Sequence, residues 1–214
     1  MSVDAGRFAE YLKHARPWFE EWRSPDAFGR RLYQINRLMD GEFLFNRQNL
    51  QWYREALTLV DYAKLIGPHR IRLTSQVRPD AYVIWDTGSA VPIEITEVME
   101  PGRIRGHEYR PQNRGLKFDP VENWHKRLDA IPIAIREAIQ KKERRNYPAH
   151  TTLLVYLNIS GHGVRQPETE HEIRAILAKP SKFAVIDVIW QGRLFTNSAM
   201  HEFRARQRAS AQLD

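Results

Sequence analysis

Two carboxylates stand where a buried hairpin would hold them face to face. In "RPDAYVIWDTGSAVPIEITEV", residues 78–98, Asp80 follows Pro79, and Glu94 sits among Val91, Ile93 and Ile95. Side chains alternate along a strand, so Glu94 and Thr96 share one face while Ile93, Ile95 and Glu97 share the other. A three-residue hairpin loop centred on Thr87 sets Asp80 directly opposite Glu94, with Cβ atoms about 5 Å apart on one face. A two-residue loop would break that parity unless a bulge restored it. Two like charges closing in a half-buried site repel, and a divalent cation offsets that cost directly. Mg²⁺ characteristically takes one or two carboxylates together with waters and phosphate oxygens. The alternative is that both acids lie at strand ends and pair with arginines such as Arg78.

The elements that must position this pair lie on either side of it. Residues 4–23 carry Phe8, Tyr11, Leu12, Ala15, Phe19 and Trp22 at helical spacing. Ser24-Pro25 reads as an N-cap with proline in the first turn, opening a second helix to about Met39 that Asp40-Gly41 breaks. A third helix, about 47–66, is apolar nearly all round and so is expected to be buried, and Gly67-Pro68 ends it. Strands follow over about 70–77, 80–86 and 91–98, then a long loop over 99–120. A helix over 121–146 presents Leu128, Ile131, Ile135, Ala138 and Ile139. "TTLLVYLNI" is a buried strand, "PETEHEIRAILAK" a helix, "FAVIDVIW" and "GRLFTN" a closing strand pair, and a basic helix ends the chain. From residue 47 the order is α-β-β-β-α-β, then a helix and two strands, which predicts an α/β fold with helices packed on a mixed sheet. The expected organisation is a helical extension over 1–46, a core over 47–198 and a basic helix or tail over 199–214.

"RPDAYVIWDTGSAVPIEIT" resembles the core motif of the PD-(D/E)XK nuclease superfamily, the restriction-endonuclease-like fold. Pro79-Asp80 matches its first element, and Glu94-Ile95-Thr96 stands where its second belongs, after 13 intervening residues. The likeness covers about residues 47–160. It implies metal-dependent hydrolysis of nucleic acid phosphodiesters, DNA foremost. Asp80, Glu94 and the main-chain carbonyl of Ile95 would hold Mg²⁺ or Mn²⁺. One position departs: Thr96 replaces the usual lysine, and threonine carries no positive charge. Some branches of the family supply that lysine from the following helix. Here the stripe Ile131, Ile135, Ala138 continues to Lys142, with Lys141 one step round. A solvated basic helix end, favoured by the helix dipole, is the other explanation of those lysines. The family often adds a glutamate from the helix before the first strand. Glu55 in "WYREALTLV" fits that place, whereas Glu42 is further away and reads as a loop residue.

Lys and Arg number 33 against 26 Asp and Glu, a net charge of +7, which favours a polyanionic partner. The loop "EPGRIRGHEYRPQNRGLK" holds Arg103, Arg105, Arg110, Arg114 and Lys117, with His107 and Tyr109 interleaved. It reads as a phosphate-backbone contact, helped by the basic helix ends, or else as a solvated loop. Glu97 points away from Glu94 and is expected to pair with a basic residue. His107, His125, His162 and His171 are scattered, without metal-ligand spacing. The absence of cysteine excludes disulfides and thiolate metal sites. No signal-peptide core or membrane-length apolar run is present, so a soluble, cytoplasmic protein is expected. Two other readings compete with the nuclease. Thr96 fits a catalytically inactive nuclease fold that binds nucleic acid. Trp18, Phe19 and Trp22 fit N-terminal helices that dock a protein partner. A homodimer is compatible with all three.

Overall fold

The computed structural model describes residues 5–38, 41–46, 50–85, 88–100, 102–103, 119–161 and 163–210. Four helices come first: α1 (Ala5–Phe19), α2 (Pro25–Leu38), α3 (Gly41–Asn46) and α4 (Gln51–Ile66). Three strands follow, β1 (Arg70–Leu73), β2 (Ala81–Ile84) and β3 (Val91–Met99). Then come α5 (Val121–Glu143), β4 (Thr152–Asn158), α6 (Gln166–Leu177), β5 (Val185–Trp190), β6 (Arg193–Thr196) and α7 (Ala199–Ser210). The strands form one mixed sheet in chain order, parallel at β3–β4 and β4–β5 and antiparallel elsewhere. Parallel neighbours need a crossover, and α5 and α6 supply the two. β4, paired in parallel on both sides, is the near-continuous apolar run that such a strand requires.

Alternation along the strands divides the core into two layers. Leu153, Val155 and Leu157 of β4 face α5 and α6, packing with Leu128, Ile131, Ile135 and Ile173. Leu154, Ile93, Ile95 and Ile189 face the N-terminal helices and α4. The segment expected as an extension is therefore part of this second layer. Phe19 is fully buried, with its ring 4.7 Å from Phe28 and 5.5 Å from Trp52. Burying a phenylalanine stabilises by about 1.5–3 kcal/mol, which explains why the aromatic stripe of α1 turns inward. Phe19 is thus unavailable for docking a partner, while Trp18 and Trp22 are half-buried. Arg23 and Ile71 also form a main-chain bridge that ties the α1–α2 link to β1.

Gly67 ends α4 in the left-handed conformation (φ 62°), its N–H donating to the Ala63 carbonyl at 2.9 Å. The Arg208 guanidinium of α7 fills the space a Cβ would need there, so the C-terminal helix lies along α4. β1 stops at Leu73, short of the predicted strand, because residues 75–78 bend toward Pro79. α2 ends at Leu38 and α3 begins at Gly41, so Glu42, expected in a loop, falls within a short helix. Among the described residues no helix is long and apolar enough to cross a membrane.

Candidate active site at the open edge of the third strand

β3 outlasts its neighbour. Its pairing with β2 runs Val83↔Val91, Tyr82↔Pro92 and Ala81↔Ile93, while its pairing with β4 continues to Met99↔Asn158. Residues 94–99 therefore keep β4 on one edge and have no β2 partner on the other. Asp80 immediately precedes Ala81, so the same register carried one residue further sets it opposite Glu94. This is the parity expected of a loop centred on Thr87, although Asp86 and Thr87 lie outside the described residues. Asp80 uses the open edge: its Oδ2 accepts the Ile95 N–H at 2.8 Å.

Glu94 points toward α5 and is 2% exposed. Lys142 reaches it from the last turn of α5, Nζ donating to Glu94 Oε1 at 2.5 Å and to the Ile95 carbonyl at 3.1 Å. The apolar stripe of α5 thus delivers one ammonium to the acid, while Lys141, one step round, is exposed. Tyr147 adds its hydroxyl, donating to the same Oε1 at 3.2 Å. Glu94 Oε2 is buried and has no hydrogen-bond partner among the described residues. Glu55 approaches from α4, half-buried, and accepts from Gln51 Nε2 at 2.6 Å.

These groups are electrostatically one cluster. Burial pushes the Asp80 carboxyl up to about 7, the charges of Glu55 and Glu94 push the same way, and the Ile95 N–H and Lys142 oppose them. Glu55 is also raised, by burial first, against the Gln51 hydrogen bond and the Lys142 charge. Tyr147 is pushed up to about 12 by burial and then by the Glu94 carboxylate, so it stays a hydrogen-bond donor at neutral pH. Three carboxylates share the Lys142 ammonium, with Arg16 also lowering Glu55, so among the described residues the acids outnumber the cations that act on them. Of the cluster, Glu55 and Ile95 reach a cleft of about 350 Å³ on the α4 side of the sheet, lined also by Gln51, Arg54, Glu97 and Arg103, whereas Glu94 faces α5.

Thr96 is half-buried on the Glu94 side of the strand, and its hydroxyl brings no charge to the cluster. Glu97 faces the cleft on the opposite side, accepting from Asn158 Nδ2 at 2.8 Å. Arg103 is anchored at the cleft mouth, its Nη1 donating to the Asn158 carbonyl at 2.6 Å. Arg105, Arg110, Arg114 and Lys117, with His107, Tyr109 and His162, lie outside the described residues. The ends of the segment carrying those arginines are tied down by Arg127. Its fork holds Asp119 at 2.7 and 2.8 Å, and its Nε meets Glu100 at 2.9 Å. The same fork holds the Asp119 carboxyl down at about 2. Arg78, the alternative partner for the acids, instead stands 5.7 Å above the Tyr147 ring.

Two features escaped the sequence reading. Tyr147 lies in a turn after α5, where no periodicity points to it. The other is a second buried carboxylate, Asp187 of β5, whose Oδ2 accepts from Tyr62 at 2.5 Å and sits 2.8 Å from His201 Nδ1. Its signal, an acid inside the apolar run "VIDVIW", is the same kind that singles out Glu94.

No family model, curated protein or solved structure matches this chain. The cluster itself must carry the functional argument. It fits a divalent cation in charge and donor type. The acids exceed the nearby ammonium, the donors are hard oxygens, and Glu94 Oε2 is left without a partner. Among the described residues, no three His, Asp or Glu side chains are grouped so as to hold a metal ion. Asp80 and Glu94, with the Ile95 carbonyl, are the residues that would hold one.

Proposed function

We propose that the chain is a metal-dependent phosphodiesterase acting on nucleic acid, DNA foremost, with a site of the PD-(D/E)XK kind. One observation carries the reading: Asp80, one residue before the last β2–β3 pair, accepts the Ile95 N–H at an open strand edge, and Lys142 reaches Glu94 there from α5. The restriction-endonuclease-like core remains part of this proposal, supported by the α-β-β-β-α-β order within the sheet. Bound Mg²⁺ or Mn²⁺ polarises a phosphate and lowers the pKa of a bound water. The protein's own groups do the rest. Lys142, already donating to Glu94 and Ile95, has N–H capacity left for a phosphoryl oxygen whose negative charge grows during attack. Glu55 faces the cleft with its proton affinity raised by burial, which suits a group that accepts a proton from water. Tyr147 holds Glu94 in one orientation. Arg54 and Arg103 flank the cleft where a backbone would lie.

A specific observation favours a second reading. The Lys142 ammonium lies between Glu94 Oε1 and the Ile95 carbonyl, two of the oxygens a cation would use, and Thr96 brings no second charge. A nuclease fold that binds nucleic acid without cutting it would have this arrangement. Incubation of plasmid DNA, linear DNA and RNA with Mg²⁺, Mn²⁺ or EDTA, beside the Asp80→Ala chain, separates the two. Cutting that needs metal and disappears in the variant is expected. Intact substrates under every condition, with binding retained, would replace the first reading by the second.

A further inference from the structure

The turn between α5 and β4 and the loop between α6 and β5 enclose a cavity of about 370 Å³, lined by Arg145, Tyr147, His150, Lys182 and Phe183. Its positive groups come from separate segments, Arg145 just after α5 and Lys182 before β5, and His150 stands between them in the turn with φ 61°. Glu143 is its acid, and that carboxylate is taken up by neutral donors. Glu143 Oε1 accepts the Ser181 hydroxyl at 2.6 Å and the Lys182 N–H at 3.0 Å. The Lys182 ammonium in turn donates to the Glu143 carbonyl at 3.1 Å, which fixes it over the end of α5. Arg145, His150 and Lys182 are all exposed, as are Lys141 and Arg144 at the end of α5 and Lys179 after α6.

This cavity is continuous with the acid cluster through one side chain. The Tyr147 ring forms a wall, 5.2 Å from the Phe183 ring and 5.7 Å beneath the Arg78 guanidinium. Its hydroxyl is the group that touches Glu94. An anion seated against Arg145 and Lys182 would thus lie one tyrosine away from the carboxylates. A nucleic acid backbone presents its negative charges at such regular short intervals, and lysine and arginine neutralise them.

We propose that the α5–β4 cavity is a subsite for a backbone phosphate of the bound strand, next to the phosphate at the Glu94 cluster, with Arg145 and Lys182 supplying the charge. The assignment of the neighbouring phosphate rests on the hydrolytic reading above, while the binding of the strand here does not. The subsite sets where along the strand the cluster falls, because Tyr147 fixes the distance between the two.

The test uses the full chain and a fluorescent oligonucleotide of about 20 nucleotides, in EDTA, with affinity followed by anisotropy as salt rises. Arg145→Gln/Lys182→Met keeps most of each stem and removes both charges. Lys13→Ala/Arg30→Ala, on helices of the opposite layer, is the control for general charge loss. The cavity pair is expected to weaken binding more than tenfold at low salt. It should also make the slope of log Kd against log salt shallower by roughly 0.7–0.9, the value for one lost phosphate contact. The control should change the slope by much less, and circular dichroism should show both variants folded. Equal effects of the two pairs, or no effect of either, would overturn the subsite. Binding that depends on Arg145 and Lys182 in a chain that cuts nothing would defeat the hydrolytic reading and leave the subsite standing. Native cutting by a variant pair that binds normally would do the reverse. A native chain that binds no oligonucleotide would defeat both.

Discussion

Glu94 and Asp187 are both carboxylates inside apolar strands of one sheet, and their surroundings divide their chemistry. Asp187 is fully buried, and its Oδ2 meets Tyr62 at 2.5 Å and His201 at 2.8 Å, while its Oδ1, like Glu94 Oε2, has no hydrogen-bond partner among the described residues. Burial first, and then the Asp187 charge, raise the Tyr62 phenol well above its usual range, so it remains a donor. The three residues come from α4, β5 and α7 and fasten the C-terminal helix to the sheet. Glu94 is equally buried, but it sits where a strand loses its neighbour and where two further acids gather, one of them, Glu55, lining a cleft. An acid inside an apolar strand therefore signals only that something must answer it. Whether the answer is a structural network or a reactive site depends on the balance of charge and on access.

The sharpest way to break this contrast is to remove each acid and follow cleavage. Glu94→Gln or Asp80→Ala should lower single-turnover cleavage by about a thousandfold or more, the scale on which loss of a charge-stabilising group acts. Asp187→Asn should cut at a rate within a few-fold of native at a temperature where it is folded. A comparable activity loss in Asp187→Asn would place the chemistry at the wrong acid.

Stability should show the opposite order. Asp187→Asn leaves Tyr62 and His201 with a poorer acceptor in a dry site, at a cost of about 2–3 kcal/mol. For a chain of this size that is a fall in Tm of roughly 4–12 °C. Thermal unfolding in EDTA measures it, and an unchanged Tm would remove Asp187 from its structural role.

Asp80 gives the pH arm. Its carboxyl titrates at about 7 in the folded chain against an ordinary value of 3.8, so the folded state holds its proton more tightly than the unfolded one. The stability that follows is fully present below the unfolded value and is lost as pH rises toward and through 7. In EDTA the native chain should unfold at a higher temperature at pH 5.5 than at pH 8, and Asp80→Asn should flatten that difference. A parallel pH profile in the variant would show that Asp80 is not the group responsible.

Tyr147→Phe should have the smallest effect. It removes one hydrogen bond to Glu94 and keeps the ring against Phe183, so a loss of about 0.5–1.5 kcal/mol in transition-state stabilisation is expected, roughly two- to tenfold in rate. A change in Tm with unaltered cleavage would make Tyr147 a packing residue alone.

The sequence is most legible where the pattern is local. Hairpin parity sets Asp80 opposite Glu94 from spacing alone, and the helical stripe of α5 leads to Lys142 in preference to Lys141. Local pattern fails where contact is made across the chain. Tyr62 and His201 meet Asp187 from 125 and 14 residues away, and neither carries a periodic signal. The aromatic stripe of α1 marks a helix face needing cover, but spacing cannot say that Phe28 and Trp52 provide it. Tyr147 is reached by a turn whose geometry follows from the packing of α5 against β4.

The central claim is that the Glu94 edge, and not the Asp187 network, accepts a divalent cation. Titration of Mn²⁺ into the native, Asp80→Asn and Asp187→Asn chains, followed by the electron paramagnetic resonance of free Mn²⁺, tests it without any substrate. The account predicts Mn²⁺ uptake by the native and Asp187→Asn chains and its loss in Asp80→Asn. Equal uptake by all three, or none by the native chain, would contradict it.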